Sequence, residues 1–430
     1  MATRTQAEPL PYGIGRFGPL WAVTALVLLA LIGLGSFAYT RQVMEGEIVT
    51  GMRDWGTMGG APWGLYVGFI VYFVGVSFAG ISVAALIRLM NLTHLRPLSR
   101  MAELLTVVSL ILGAFSVIAD VGQPLRAFVN LSRYARPQSP LFGTFTLVIS
   151  GYLFASLVYL YLAGRRDAYL MSLRPSPFRW FYRAWAAGYQ DTPEEQRRHS
   201  LTSFWLAIAI LPLLITAHST LGLVFGLQVG RPGWYSALQA PAFVILAGVS
   251  GVGLLLVIAS IARRALAGGG GISLDALRWL GYFLLVLILA YLYFTIVEIM
   301  TGFYAGHERE QEIVRLMLWG RYGLVFWPSV GLLALPAGLL LLMAFFRWWN
   351  PPLLAVCGVL VNLAAIGKRY LIVVPSLTHG GLLPYGPGFY RPTWVEYSVI
   401  IGLLALGGLL YLLFAKIFPL TEVPETGKGG

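Results

Sequence analysis

Long apolar runs alternate with short polar segments along the chain. Ten runs are long enough to cross a bilayer, whose core of about 30 Å needs about 20 apolar residues per helix. They lie near residues 18–38, 63–87, 104–121, 141–163, 203–226, 237–262, 279–303, 323–346, 353–374 and 394–416. The pattern predicts an all-α integral membrane protein with about ten transmembrane helices.

Composition agrees with this pattern and narrows the chemistry. The 430 residues are 58% hydrophobic and 11% charged, whereas soluble domains carry about 25% charged residues. The single Cys357 excludes a cysteine-ligated iron–sulfur cluster in this chain. The net charge of +12 reflects arginines in the loops between apolar runs, which membrane topology and anionic lipid explain better than nucleic acid does.

Arginines also set the expected orientation. Seven of them lie in the loop 164–201, so the positive-inside rule puts this loop and both termini in the cytoplasm. The same loop is expected to hold a short helix capped at Thr192. The first apolar run is longer than the roughly 7–15 residues of a signal-peptide core, so a retained first helix is expected.

Four ionisable residues lie within apolar runs or at their ends, where a charge costs about 2.5–3.5 kcal/mol. They are Asp120, His218, Glu298 and Glu396. In the predicted topology all four fall in the outer half of the membrane, which indicates one polar site near the outer face.

Asp120 and His218 each have a structural and a functional interpretation. Asp120 is either an interfacial acid paired with Arg126 or a working proton carrier. His218 follows Pro212, which is expected to kink its helix. It is either hydrogen-bonded to a neighbouring helix or engaged in proton exchange or ligand binding.

The two glutamates leave a similar choice. Glu298 is either a buried proton carrier or a structural partner of Arg321 or Lys368. For Glu396, an interfacial ion pair with Lys368 or Arg369 is favoured.

A haem held by two histidines is not expected, because only His218 of the five histidines lies within an apolar run. No metal site is visible in the sequence. The residues alone leave two functions open: exchange of electrons and protons with a quinone, or secondary transport of a solute or proton.

Four segments resemble the NrfD/PsrC family of polysulfide-reductase-type integral membrane subunits. They are PWGLYVGFIVYFVGVSFAG (62–80), ADVGQPLRAFVNLSRYARPQSPLFG (119–143), AHSTLGLVFGLQVGRPGWYSALQAPAFV (217–244), and KRYLIVVPS with YRPTWVEYS (within 368–398). Ten spans resemble the longer branch, which includes membrane subunits of alternative complex III, hydrogenase-2 and sulfite-reductase-linked complexes.

The resemblance implies two four-helix bundles flanked by the first and last spans, in a bacterial or archaeal cytoplasmic membrane. The expected domains are an N-terminal segment with the first helix (1–62), a first bundle (63–227), a second bundle (228–374), and a last helix with its tail (375–430).

The resemblance also implies chemistry with menaquinone or ubiquinone near the outer face, without haem or an Fe–S cluster in this chain. Electrons would pass to or from a ferredoxin-like Fe–S subunit, with a further catalytic or cytochrome subunit beyond it. A secondary transporter and an anchor without bound quinone are the alternatives.

Carried onto this sequence, the resemblance predicts proton-exchanging roles for Asp120, His218 and, with a weaker match, Glu298. The residues expected around the quinone are Asp120, Gln123, Arg126, Thr144, His218 and Tyr235. Thr144 stands where some relatives have an acid, and Tyr235 where some have a histidine. The proton route is therefore not assumed to be theirs.

Overall fold

The computed structural model describes residues 10, 13–52, 62–134, 138, 145–266, 271–379 and 388–422. Within these ranges the chain forms thirteen α-helices and two short 3-10 helices, with no strand. The predicted all-α class is confirmed.

Ten of the helices are long and apolar enough to cross a membrane. Each overlaps one predicted run, so the prediction of ten spans is confirmed. They are α1 (Pro19–Glu45), α2 (Leu65–Leu89), α3 (Arg96–Asp120), α5 (Phe145–Ser172), α7 (Pro193–Gly226), α8 (Gln239–Ala265), α9 (Leu274–Tyr304), α11 (Gly323–Phe345), α12 (Pro351–Thr378) and α13 (Trp394–Ile417).

Three shorter helices lie in the connections: α4 (Pro124–Tyr134), α6 (Arg179–Ala186) and α10 (Glu308–Leu318). The hydropathy pattern does not predict these helices, because each of them mixes charged and apolar residues within two or three turns. The α4 helix begins directly on Pro124, whose fixed φ and missing N–H suit the first helical position.

The loop 164–201 holds the predicted cap but not the predicted separate helix. The Thr192 side chain accepts a hydrogen bond from the Glu195 backbone N–H at 3.3 Å, which confirms the cap. The helix does not stop after this charged segment, so the prediction of a short cytoplasmic helix was wrong. Good helix formers follow Pro193 without a glycine or proline until Pro212, and α7 therefore runs unbroken into the span.

Eight central spans, taken here as two groups in chain order, pack extensively against one another within and between the groups, and two outer helices lie beside them. The first group is α2, α3, α5 and α7, and the second is α8, α9, α11 and α12. Helix α2 also packs against α8 and α12, and it is buried along nearly its whole length. The domain limits given above stay a prediction.

Outside the first group, α1 packs against α13, which in turn packs against α3. Small residues permit the close approach of α1 and α13. A Cβ atom on Gly35 would meet the Gly402 Cα at 2.9 Å, so the two backbones are nearly in contact.

Candidate functional site

A cavity of about 910 Å³ lies at the end of the first helix group where α3 ends. Apolar side chains of α2 and α7 form much of its wall, among them Val67, Ile70, Val71, Leu221, Val224 and Phe225. Its polar side chains come from the α3–α4 segment and the start of α5: Asp120, Gln123, Arg126, Asn130 and Thr146. The cavity is thus an apolar space with polar groups grouped on one side.

Helix α4 separates its cavity-lining residues from an outward apolar face. Gln123, just before the helix, and Arg126 and Asn130 line the cavity, three and four residues apart as on one helix face. The Gln123 Oε1 accepts from Arg126 Nη1 at 3.3 Å, which links two of these groups. Leu125 and Phe128 are exposed and do not line the cavity. The structure therefore brings Asp120, Gln123 and Arg126 to the wall of one cavity, and their role around a quinone stays a prediction.

Two side chains of α1 hold the end of α3 beside this cavity. Tyr39 Oη donates to the Ile118 carbonyl at 3.3 Å, and Gln42 Nε2 donates to the Ala119 carbonyl at 2.9 Å. Carbonyls in the last turn of a helix have no partner within it, so these bonds fix the helix end. Asp120 is the next residue, and it is half-buried.

Gln42 is buried and uses both ends of its amide group. Its Nε2 also donates to Glu47 Oε1 at 3.1 Å, and its Oε1 accepts from Tyr66 Oη at 2.7 Å. The carboxyls of Glu396, Glu47 and Asp120 all lie within electrostatic reach of that tyrosine hydroxyl. Sequence reasoning missed Gln42, because a polar residue just beyond the first apolar run looks like an ordinary span end.

His218 lies behind the cavity wall and is not one of its lining residues. Only 1% of the residue is exposed. Its Nδ1 lies 2.8 Å from the Leu214 carbonyl oxygen, and its Nε2 lies 2.7 Å from that of Val74 on α2. A neutral imidazole donates from one nitrogen only, whereas a protonated ring would donate to both carbonyls. The predicted bond to a neighbouring helix is present, and a role in proton exchange stays a prediction.

Glu298 belongs to the second helix group and does not line the cavity. It is half-buried, and its Oε1 lies 3.5 Å from Gln239 Nε2. It shares a gap of about 20 Å³ with the buried Lys368, although no ion pair within 4 Å joins them among the described residues. Arg321 was the wrong partner: it donates to the Gly388 and Thr378 carbonyls instead.

The predicted ion pair of Glu396 with Lys368 or Arg369 was wrong. Glu396 is fully buried, and its Oε1 accepts from Tyr390 Oη at 2.5 Å. Its Oε2 accepts from the backbone N–H groups of Gly51 at 2.7 Å and Thr393 at 2.9 Å. A glutamate three residues after the N-cap reaches back to the helix start, which closes a capping box here.

The four ionisable residues thus do not share one cavity, although Asp120 and Glu396 both lie within electrostatic reach of Tyr66. Asp120 alone of them lines the large cavity. Tyr235 is 59% exposed and is not among the lining residues. Thr144 lies outside the described residues.

Comparison with known proteins identifies the class of this membrane protein. The family model for NrfD, polysulphide reductase, matches residues 55–380. The chain therefore belongs to the NrfD polysulphide reductase family of integral membrane subunits. The resemblance read from the four sequence segments is confirmed.

Three relatives cover almost the whole chain. A putative membrane subunit of dimethyl sulfoxide reductase from Halobacterium salinarum is 30% identical over 97% of this chain and 94% of its own length. A selenate reductase subunit from Mesobacillus selenatarsenatis is 24% identical, with 92% and 93% covered. The Hdr-like menaquinol oxidoreductase integral membrane subunit of Archaeoglobus fulgidus is also 24% identical, with 93% of each chain covered.

Proposed function

We propose that this chain is the quinone-reactive membrane subunit of a multisubunit respiratory oxidoreductase. The observation that carries the proposal is the cavity of about 910 Å³ with polar side chains at its Asp120 side. Small-molecule sites are typically concave, mostly apolar and fitted with a few polar groups that fix orientation. The name of the Archaeoglobus relative, a menaquinol oxidoreductase subunit, supports the same chemistry.

The lining residues suit a quinone or quinol ring. Val67, Val71 and Leu221 offer apolar contact, while Gln123 and Arg126 can donate hydrogen bonds to ring oxygens. A quinone supplies two-electron chemistry that is coupled to the gain or loss of two protons. Asp120 is the carboxyl on the cavity wall, so we assign it the exchange of a proton with a ring oxygen.

The partner proposed for electron transfer is a ferredoxin-like Fe–S subunit, with a further catalytic or cytochrome subunit beyond it. Two of the relatives carry names of subunits of reductases, which supports a multisubunit assembly. We also propose that both termini face the cytoplasm, as the basic loop 164–201 favours.

The substitution Asp120→Asn tests the proposal in the purified complex. Asparagine keeps the size and much of the hydrogen bonding of the side chain but cannot take up a proton. Quinol turnover should fall at least about 10²-fold, as for loss of a general acid–base group, while the complex keeps all its subunits. The control Glu45→Gln removes an exposed carboxyl paired with Arg41 on α1 and should leave turnover unchanged.

Extraction and quantification of bound quinone provide an independent measurement. Wild-type complex should retain quinone through purification, and Asp120→Asn should still contain it, since the cavity keeps its shape. Full turnover in the Asp120→Asn complex would contradict the role of Asp120. A complex that neither contains nor oxidises quinol would contradict the function itself.

A further inference from the structure

A second cavity, of about 300 Å³, lies at the opposite end of the first helix group. The end of α2, the start of α3, the end of α5 and the start of α7 surround it. Residues 87–100 and 163–167 supply part of its wall, whereas the large cavity uses the start of α2 and the end of α3. In the proposed orientation this second cavity faces the cytoplasmic side.

Arginines dominate the charged lining of this cavity. Four of them, Arg88, Arg96, Arg100 and Arg166, line it. Two carboxylates, Asp167 and Glu422, line it as well. The lining is thus richer in guanidinium groups than in carboxylates.

Three of the arginines are held in place by acids, and one is not. Arg100 pairs with Asp167 at 2.8 Å, Arg88 with Glu103 at 3.3 Å, and Arg166 with Asp191 at 3.0 Å. These pairs fix the walls. Arg96 is exposed at the start of α3 and forms no ion pair with any residue that the structure describes.

Two deeply buried polar groups at this cavity lack hydrogen-bond partners. Ser203 is 5% exposed and lines the cavity, yet its Oγ has no hydrogen-bond partner within the described part of the chain. Arg100 is 2% exposed, and its Nη1 likewise has no hydrogen-bond partner among the described residues. Buried donors are nearly always satisfied in folded proteins, so such groups beside a polar cavity indicate a missing acceptor.

We propose that this cavity binds the phosphoryl group of an anionic ligand. Guanidinium groups match phosphate geometry with two parallel hydrogen bonds, and hydroxyl groups such as that of Ser203 donate to the remaining oxygens. A volume of about 300 Å³ accommodates a phosphoryl group with its nearest substituents. Two sources share this chemistry, a phospholipid headgroup and free phosphate.

The lipid source is favoured by the rim of the cavity. Phe204 lines the cavity and is 40% exposed, and its neighbours Leu201 and Trp205 on α7 are exposed too. This surface belongs to a span and is suited to acyl chains. The cytoplasmic leaflet is rich in anionic lipid, and basic pockets between spans on that side are known to bind headgroups. A bound headgroup would hold together the ends of four helices.

The test is a lipid titration of the delipidated complex in detergent, with the thermal unfolding midpoint of this subunit as readout. Phosphatidylglycerol should raise the midpoint of the wild type. Arg96→Gln should need about ten-fold more lipid for the same rise, since it loses a charge-assisted contact. Ser203→Ala, which removes only a hydroxyl, should need a few-fold more. The control Arg264→Gln alters an exposed arginine in the last turn of α8 and should titrate like the wild type.

Two further titrations identify the source. If inorganic phosphate alone reproduces the rise, the ligand is free phosphate; if only phosphatidylglycerol does, it is a lipid headgroup. The proposal is overturned if phosphatidylcholine acts as strongly as phosphatidylglycerol, if neither lipid nor phosphate shifts the midpoint, or if Arg96→Gln and Ser203→Ala both titrate like the wild type.

Discussion

Similar tetrapeptides follow α3 and α7, VGQP at 121–124 and VGRP at 229–232, yet they lead to different structures. The first continues directly into α4, which lies beside the cavity of about 910 Å³. The second forms a tight turn that buries Trp234, whose Nε1 donates to the Ile372 carbonyl at 2.6 Å. A gap of about 20 Å³ lies there, lined by Gly233 and Trp234 among others.

The first region is thus an open cavity, whereas the second is closed. In the closed region, the Lys368 Nζ lies 5.8 Å and 5.2 Å from the ring centroids of Tyr291 and Phe326, and Glu298 lines the same gap. The buried tryptophan also stacks on Trp63, a lining residue of the open cavity, with ring centroids 5.8 Å apart. The closed turn therefore supports one wall of the open site.

Filling the open cavity should have a large effect, comparable with that of Asp120→Asn. Ala127 lines it from α4, so Ala127→Trp would occupy the space proposed for the ring. Turnover should fall by about 10²-fold, since displacement of a substrate by an ångström has effects of this size. Val129→Trp adds the same indole to an exposed position of the same helix and should leave turnover unchanged. Equal losses in both variants would show that α4 matters for assembly and not for the cavity.

The next prediction concerns α1, which lies outside the family match at 55–380. Gln42→Leu removes the bond to the Ala119 carbonyl, and the end of α3 that carries Asp120 loses its anchor. We expect about a ten-fold rise in KM for quinol with a smaller change in kcat.

Two variants distinguish positioning by Gln42 from general destabilisation. Gln42→Glu keeps the oxygen that accepts from Tyr66 but replaces the Nε2 donor with a second oxygen. Because this oxygen cannot donate to the Ala119 carbonyl or to Glu47, Gln42→Glu should not have a normal KM. Thr40→Ala, on the exposed side of α1, should behave like the wild type. A normal KM for Gln42→Leu would remove the positioning role.

The spans could be predicted from sequence because a bilayer requires each transmembrane helix to be long and apolar. Each apolar run meets this requirement by itself, whatever the rest of the chain does. The polar side of the large cavity could be predicted in part, since Asp120, Gln123 and Arg126 lie close together along the chain. Gln42 could not, because Tyr66 and the Ala119 carbonyl are distant from it in sequence and become its neighbours only when the helices pack. Glu396 was misassigned for the opposite reason: its capping box with Thr393 is local and readable from the sequence, but an ion pair with the charges on α12 was predicted instead.

Removing the charge of Glu298 in the closed region should affect the stability of the protein more than its quinol turnover. Glu298→Gln leaves Lys368 buried without the acid that shares its gap, which should lower the free energy of unfolding by about 1–3 kcal/mol, as for a buried polar group that loses its partner. Turnover should stay within about three-fold of the wild type, in contrast to Asp120→Asn. The double variant Glu298→Gln with Lys368→Met should recover part of the stability, because it removes the remaining buried charge. A loss of turnover as large as that of Asp120→Asn would place Glu298 in the proton route.

The smallest expected effect is a pH dependence at Glu310, which holds the closed turn by accepting from the Gly233 N–H at 2.6 Å. Partial burial raises the pKa of Glu310 above its ordinary value, and this hydrogen bond opposes the shift only in part. A carboxyl with a raised pKa binds its proton more tightly in the folded state. Its contribution to stability is therefore present at low pH and lost as pH rises through the raised pKa.

The stability of Glu310→Gln should accordingly be closest to that of the wild type below pH 4.5, the ordinary pKa of the carboxyl. As pH rises, the wild type should lose stability relative to Glu310→Gln. Thermal unfolding of the purified complex across this range measures the difference. Glu308→Gln changes an exposed carboxyl on the same helix and should show no such trend. If the difference between Glu310→Gln and the wild type is constant with pH, the pKa of this carboxyl does not change on folding and the prediction is wrong.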